Sequence, residues 1–346
     1  MAWGRVAGFF GLAFVLTWMW WVPAALVERG TVPVELPWIV LMIPGGLGPA
    51  VAAVICSSRR MGGPGVRPFL RYAFRWRAAP RFHLAATAGM AVLVLGTVPV
   101  QLLAGASWDG AGAVSGLAAF PFLLVFTFVL GGGIDEELGW HGFALPHLQE
   151  RLPVWAANLL LGVVWSLWHL PLWWNPAVGQ HDSNYPLYVV STTGFAVLLG
   201  WLYNSTGGNV LVIVTAHTFA NLAYGLQAAA IDPVYQWIDA VVMGGGGLLA
   251  LAVTRGRLGA PPSAEPPTDR SAGSRGLPST TRGSAAAAPD SGDPVRCDAA
   301  KTLFVERGSD DTSVDERRAQ GRRSRNLRTR AASPLPVVGR RNSSKS

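Results

Sequence analysis

Apolar residues are concentrated in eight long runs, which short polar segments separate. Each run is about 20 residues long, the length that an α-helix needs to cross the hydrocarbon core of a bilayer. The pattern therefore predicts an all-α membrane protein, a polytopic bundle of about eight transmembrane helices. The predicted spans are 6–27, 37–56, 82–104, 117–141, 153–173, 186–204, 208–228 and 234–253.

The same pattern divides the chain into three parts. Residues 1–35 contain the first transmembrane helix and an outer loop, and residues 36–254 form the main helical domain. Residues 255–346 have no Trp or Tyr and no apolar helical face. Such a segment buries too little apolar surface to offset the entropy of ordering. We therefore expect residues 255–346 to be a disordered, basic, cytoplasmic tail.

The composition supports a membrane protein, and the net positive charge lies outside the predicted helices. Half of the residues are hydrophobic and only 14% are charged, whereas soluble domains have about 25% charged residues. Residues 1–254 hold ten Arg and ten acidic residues, so the net charge of +8 arises entirely in the tail. The basic balance thus gives no sign of a nucleic-acid-binding domain. The lipid bilayer is the expected partner.

The distribution of arginine predicts the orientation. The segment 59–81 contains seven Arg and no acidic residue, while the loops on the opposite side contain one Arg and several acids. Cytoplasmic loops of membrane proteins carry the excess of positive residues. We therefore expect a multi-pass protein of the plasma membrane with both termini in the cytoplasm.

Three consecutive acids, Asp135, Glu136 and Glu137, follow the apolar run that ends at Ile134. Charged side chains inside a membrane are costly and usually functional. Glu137 and His141 are four residues apart and share a helix face, whereas Glu136 points about 100° away. An acidic helix end in the interfacial water is the alternative interpretation.

Two later segments supply matching polar groups. Trp165 precedes His169 by one helical turn, and His217 precedes Asn221 by the same spacing, so each pair shares a face. Either histidine alone is also compatible with a structural role, satisfied by a neighbouring hydroxyl or carbonyl group.

Chain geometry brings these groups to one depth. The fourth and fifth helices should form an antiparallel hairpin that turns near Leu152 and Pro153. Glu136 lies 16 residues before Leu152 and His169 lies 16 residues after Pro153, which places both about 24 Å from the turn. His217 lies roughly 14 Å from the inner side. We therefore expect the three groups to meet in the cytoplasmic half of the membrane.

Two hydrolytic schemes fit such a cluster. A carboxylate and an imidazole can activate a water molecule, while a second His and an Asn stabilise the oxyanion. Alternatively, Glu136, His169 and His217 bind Zn²⁺ and leave a position open for water. The residues leave both schemes open.

The three segments resemble the motifs of the CPBP family, which includes CAAX prenyl endopeptidases and bacteriocin-processing or immunity proteins. The family pattern is Glu-Glu-x-x-x-Arg, Phe-x-x-x-His and His-x-x-x-Asn/Asp. Here these motifs read Glu136 to His141, Trp165 to His169 and His217 to Asn221. The chain departs from the pattern where His141 replaces Arg and Trp165 replaces Phe. Arg is always charged, whereas His titrates near neutral pH.

The resemblance implies a role for each motif residue. Glu136 and His169 would activate water, and His217 and Asn221 would stabilise the oxyanion. Glu137 would be a supporting carboxylate, with His141 and Trp165 as supporting residues.

The sequence thus predicts an integral membrane endopeptidase of the CAAX type that acts at the cytoplasmic side of the bilayer. Its substrate would be a peptide or a membrane protein, with bacteriocin processing among the roles that the resemblance implies. One alternative is a catalytically silent immunity or scaffold protein, which the His141 departure favours. Another is a proton-coupled transporter, which would use the same intramembrane Glu and His residues.

Overall fold

The computed structural model describes residues 2–33 and 37–261. These residues contain eight helices that are long and apolar enough to cross a membrane, which confirms the predicted all-α, multi-pass fold. The spans are 3–28, 38–57, 80–103, 110–149, 154–174, 185–205, 210–230 and 236–253. The predicted disordered tail lies, from residue 262 onward, outside the described residues.

Several spans consist of more than one helical element. The first four elements are α1 (Ala2–Glu28), α2 (Trp38–Gly46), α3 (Gly48–Ser57) and, after a single 3₁₀ turn at Arg59–Met61, α4 (Val66–Ala73). The third span combines α5 (Pro80–Leu84), a π-helical turn (Ala85–Gly89), α6 (Met90–Leu95) and α7 (Val98–Leu103).

The fourth and fifth spans carry the first two motifs. They contain α8 (Gly110–Leu130), α9 (Ile134–Gly139), a π-helical turn (Trp140–Ala144), α10 (Leu145–Gln149), α11 (Val154–Trp168) and a 3₁₀ segment (Leu170–Trp174). After a further 3₁₀ turn at Gly179–Asp182 come α12 (Tyr185–Ser205), α13 (Val210–Ala230) and α14 (Gln236–Val253). Two short strands, β1 (Ser107–Trp108) and β2 (Ile231–Asp232), pair antiparallel, with Ser107 opposite Asp232.

The fourth span differs from the continuous helix predicted over 117–141. Helix α8 ends at Leu130, and α9 begins only at Ile134. The three residues between them are glycines, and Gly132 has a φ of +105°. Glycine adopts this backbone conformation without steric cost and favours breaking a helix. The break gives the acidic triplet a short helix of its own.

Close backbone contacts hold the later helices together. Helices α12 and α14 run parallel, with Gly194 against Met243 and Gly247. Helices α11 and α12 run antiparallel, with Gly162 against Thr193. Lipid offers no hydrophobic driving force between helices, so association depends on close packing at small residues.

Helix α1 is tied into the bundle by hydrogen bonds. Thr17 Oγ1 donates to the carbonyl oxygen of Gly45 over 2.7 Å, and Trp168 Nε1 donates to Thr17 Oγ1 over 2.8 Å. Trp18 Nε1 also donates to the carbonyl oxygen of Trp168. The first span therefore packs directly against α2 and α11.

The two ends of the bundle are chemically distinct. At one end, Arg75 donates to the carbonyl oxygen of Gly207 and Asn209 donates to that of Arg77. We call this the Arg end, formed by residues 59–81, 150–153 and 206–209. At the other end, the backbone N–H of Asn184 donates to Gln236 Oε1. We call this the loop end, formed by residues 175–184 and 231–235.

The close contact at Gly194 predicts a specific sensitivity. A Cβ at Gly194 would lie 2.2 Å from the backbone oxygen of Met243. Gly194→Ala should therefore lower the free energy of unfolding by about 1–3 kcal/mol, the usual cost of overpacking. SDS-induced unfolding in mixed micelles measures this change. Gly245→Ala is the matched control, since a Cβ there meets nothing within 4 Å. Equal stabilities of the two variants would contradict the close contact.

Candidate active site

All three acids of the triplet are buried at the start of α9. Asp135, Glu136 and Glu137 are 2%, 7% and 0% exposed. The alternative interpretation, in which they end a helix in interfacial water, is therefore wrong. Asp135 Oδ1 accepts a hydrogen bond of 2.9 Å from the backbone N–H of Gly132. Asp135, which has no role in the predicted chemistry, thus stabilises the glycine break.

Glu137 is held between two imidazoles. Its Oε2 accepts a hydrogen bond from His141 Nδ1, one turn further along the chain. Its Oε1 accepts a hydrogen bond of 2.7 Å from His217 Nδ1 on α13. The first contact follows from the i, i+4 spacing. The second joins two motifs 80 residues apart, which spacing within one helix could not reveal.

Glu136 points to a different set of donors. Its Oε2 accepts from Trp165 Nε1 over 2.6 Å and from Trp140 Nε1 over 3.2 Å. Its Oε1 lies 4.0 Å from His169 Nε2. From the sequence, Trp165 is predicted only as a supporting residue, and Trp140 is not predicted. The spacing of four residues between Glu136 and Trp140 was the available signal.

His169 is oriented by the main chain. Its Nδ1 donates over 2.9 Å to the carbonyl oxygen of Trp165. In the neutral imidazole this leaves Nε2 as an acceptor, and Nε2 is the atom that faces Glu136. A separation of 4.0 Å is too long for a direct hydrogen bond and suits a bridging water.

His217 and Asn221 lie against the glycine break. Asn221 Nδ2 donates to the carbonyl oxygen of Gly131 over 2.9 Å. A Cβ at Gly132 would lie 2.6 Å from His217 Nε2 and 2.7 Å from Asn221 Nδ2. Only glycine therefore lets α13 approach the start of α9 so closely. The structure thus brings Glu136, His169, His217 and Asn221 to the wall of one cavity.

The cavity has a volume of about 590 Å³. It extends from these four residues between α12, α13 and α14 to the loop end, where Gly179, Gln180 and Val234 line it. Gly179 is exposed. The described cavity therefore reaches the surface at the loop end.

Toward the Arg end, three further side chains pack behind the residues that line the cavity. His141 is fully buried, and its ring lies 6.2 Å from that of Tyr203. Tyr203 in turn makes a hydrogen bond with Tyr72, which precedes the third span. Burial raises the pKa of the Tyr72 phenol above its usual value. These three side chains do not line the cavity; His141 packs against Trp165, which does. We call His141, Tyr203 and Tyr72 the floor.

The predicted metal ligands are only partly arranged for a metal. Glu136 Oε2 already accepts two indole N–H groups, and its Oε1 lies 4.0 Å from His169 Nε2. Within residues 2–33 and 37–261, no three His, Cys, Asp or Glu side chains are grouped closely enough to hold an ion. As placed, Glu136, His169 and His217 therefore do not form a zinc site.

Comparison with known proteins finds similarity in the segment that contains these motifs. Residues 118–223 match the family model described as Type II CAAX prenyl endopeptidase Rce1-like. This segment includes all three motifs. The match is in line with the resemblance of these motifs to the CPBP family.

A curated relative extends the likeness beyond this segment. The chain is 23% identical over 235 residues to CAAX prenyl protease 2 of Methanococcus maripaludis. The alignment covers 65% of this chain and 85% of that protein. The Rce1-like match and this relative together support a membrane endopeptidase of the CAAX type.

Because Glu137 is buried between two imidazoles, we expect it to contribute strongly to the stability of the fold. Glu137→Ala leaves two buried imidazoles without their acceptor, and breaking a buried charged pair costs about 3–5 kcal/mol. We expect a corresponding loss in the free energy of unfolding, measured by SDS titration. Glu150→Ala is the control, because Glu150 is exposed after α10 and its removal should change little. A Glu137→Ala protein as stable as the control would refute the paired arrangement.

Proposed function

We propose that this protein hydrolyses a peptide bond inside the membrane with a water molecule activated by Glu136 and His169. The observation that carries the proposal is the 4.0 Å gap between Glu136 Oε1 and His169 Nε2 on the wall of the cavity. A water in this gap can donate one hydrogen bond to each atom. Both atoms are thereby available as proton acceptors.

The reaction then needs no group beyond those on the cavity wall. The water transfers a proton to Glu136 or His169 as its oxygen bonds to the carbonyl carbon of the substrate. The carbon–nitrogen bond breaks when the resulting tetrahedral intermediate collapses, and the same proton passes to the leaving amine. The products are a carboxylic acid and an amine, and the catalytic residues return to their initial state.

His217 and Asn221 would stabilise the oxyanion. His217 Nδ1 already donates to Glu137, so donation from Nε2 requires that both ring nitrogens carry protons. Asn221 uses one of its two amide protons on Gly131 and has the other to donate. Such donors contribute most in a site that excludes water.

The aromatic and apolar wall of the cavity suits a membrane peptide. Tyr188, Phe195 and Leu187 line it together with the catalytic residues. The relative described above is a CAAX prenyl protease, so a prenylated CAAX peptide is the first substrate class that we propose. Processing of a bacteriocin or another membrane peptide remains a prediction from the resemblance.

The position of the cavity opening indicates from which side of the membrane a substrate can enter. We propose that the Arg end and both termini lie in the cytoplasm of a cell whose plasma membrane holds the protein, as the positive-inside rule predicts. The cavity reaches the loop end, which offers a route of access from the non-cytoplasmic side. Hydrolysis at the cytoplasmic side stays the prediction from the depth of Glu136.

One observation favours a catalytically silent relative. His141 Nε2 is buried without a hydrogen-bond partner among the described residues, at the position where the family pattern has Arg. A loss of the cationic support for Glu137 would fit an immunity or scaffold role. A cleavage assay distinguishes the two functions.

The assignment of Glu136 and His169 predicts the outcome of that assay. In vesicles that contain the protein and a fluorogenic farnesylated CAAX peptide, Glu136→Gln and His169→Ala should each lower kcat about 10²–10⁴-fold, because each removes a proton acceptor. Glu150→Gln should retain full activity. Wild-type turnover in both site variants would end the assignment, and an inactive wild type on prenylated and unprenylated peptides alike would favour the silent relative.

Metal dependence is a separate prediction. Since the residues as placed do not form a zinc site, we expect activity to survive dialysis against EDTA. Elemental analysis of protein purified without chelator measures bound Zn²⁺ directly. Loss of activity on dialysis and its recovery with Zn²⁺ would establish the zinc scheme instead.

A further inference from the structure

A second carboxylate lines the cavity away from the catalytic residues. Asp239 is the only charged residue of α14 and is 8% exposed. It borders the same cavity as Glu136 and His169. Ionisable residues in membrane-spanning helices usually face the interior of the bundle or a water-filled cavity.

Neutral groups hold one oxygen of this carboxylate. Gln227 Nε2 lies 3.2 Å from Asp239 Oδ1, Thr97 Oγ1 lies 3.1 Å away and Gln101 Nε2 lies 3.4 Å away. Thr97 is also 2.8 Å from the carbonyl oxygen of Val94, so its single proton serves one acceptor at a time. These donors orient Asp239 but leave its charge uncompensated.

No cation balances Asp239 in the described part of the chain. Every ion pair there joins a His to Glu136 or Glu137. The lining of the cavity contains two acids, Glu136 and Asp239, and neither Lys nor Arg. The hydrogen bonds to Asp239 within the described residues all end on Oδ1. Oδ2 is therefore available to a ligand with a positive charge.

We propose that Asp239 binds a basic side chain of the substrate, Lys or Arg, while the catalytic residues act on a bond further along the same peptide. This proposal rests on the proposed function and assigns it a substrate class. The complementary charge would come from the peptide, and it would compensate an otherwise unpaired buried carboxylate.

Helix α13 sets the distance between the two sites. His217, Asn221, Tyr224 and Gln227 all line the cavity and follow one face of the helix. His217 and Gln227 are ten residues apart, or about 15 Å along the axis. An extended peptide advances about 3.4 Å per residue. The basic residue should thus lie roughly four residues from the scissile bond.

A series of peptides tests this spacing. In each peptide one Arg occupies a different position of an otherwise uncharged sequence, and a matched peptide carries citrulline, which has the shape of Arg without its charge. Full-length protein in lipid vesicles is assayed for kcat/KM, and mass spectrometry identifies the cleaved bond. We expect Arg peptides to react roughly 30-fold or more faster than citrulline peptides, with the cleaved bond at a constant distance from Arg.

Variants assign the preference to Asp239. Asp239→Asn keeps an oxygen for the three donors and should reduce the Arg-to-citrulline ratio to about 1–3, with little change for citrulline peptides. Asp182→Asn is the matched control, since Asp182 is an exposed carboxylate at the loop end, and should keep the full ratio. Equal rates for Arg and citrulline in the wild type would overturn the proposal whether or not Asp239→Asn folds. A ratio that survives Asp239→Asn would overturn it as well.

A binding measurement separates this proposal from the proposed hydrolysis. Fluorescent Arg and citrulline peptides are titrated with Glu136→Gln protein and with the Glu136→Gln/Asp239→Asn double variant, and anisotropy gives Kd. Tighter binding of the Arg peptide that the double variant loses supports the cation site, even if wild-type protein cleaves nothing. Cleavage without any charge preference supports the proposed hydrolysis and rejects the cation site.

Discussion

The structure depends on the stabilisation of three neighbouring carboxyl groups inside a membrane. An unpaired charge in this environment is expensive, so each acid requires donors that the chain itself must bring. Asp135 accepts a hydrogen bond from a backbone N–H group, Glu136 from indole N–H groups and Glu137 from imidazole N–H groups. These donors come from the glycine break, the π-helical turn at Trp140–Ala144, α11 and α13. The acids therefore determine which helices must meet.

The different donors give adjacent carboxylates different properties. The indole N–H groups that hold Glu136 do not exchange their protons near neutral pH, so they orient the carboxylate without protonating it. The imidazoles beside Glu137 donate to it through their Nδ1 atoms and are oriented by it. Glu136 is thus suited to accept a proton, and Glu137 to orient His141 and His217. This division underlies the chemistry that we propose.

The sequence was sufficient for the spans because apolar run length alone determines which helices can cross a bilayer. It was also sufficient to predict that Glu136 and His169 lie together, since both are equally far from the turn at Leu152 and Pro153. The prediction was wrong at the three glycines. It placed a continuous helix there, whereas Gly132 has a positive φ, which an α-helix does not contain. The bonds of His217 to Glu137 and of Trp165 to Glu136 depend on helix rotation, which one-dimensional spacing within a helix does not specify.

The floor has a consequence for the cell as well as for the site. A wet cavity that reached through the bundle would let protons and ions cross the bilayer and would dissipate the membrane potential. Tyr72, Tyr203 and His141 form packed rings between the residues that line the cavity and the Arg end. Such packing would let the proposed hydrolysis use water without a continuous aqueous path across the bilayer.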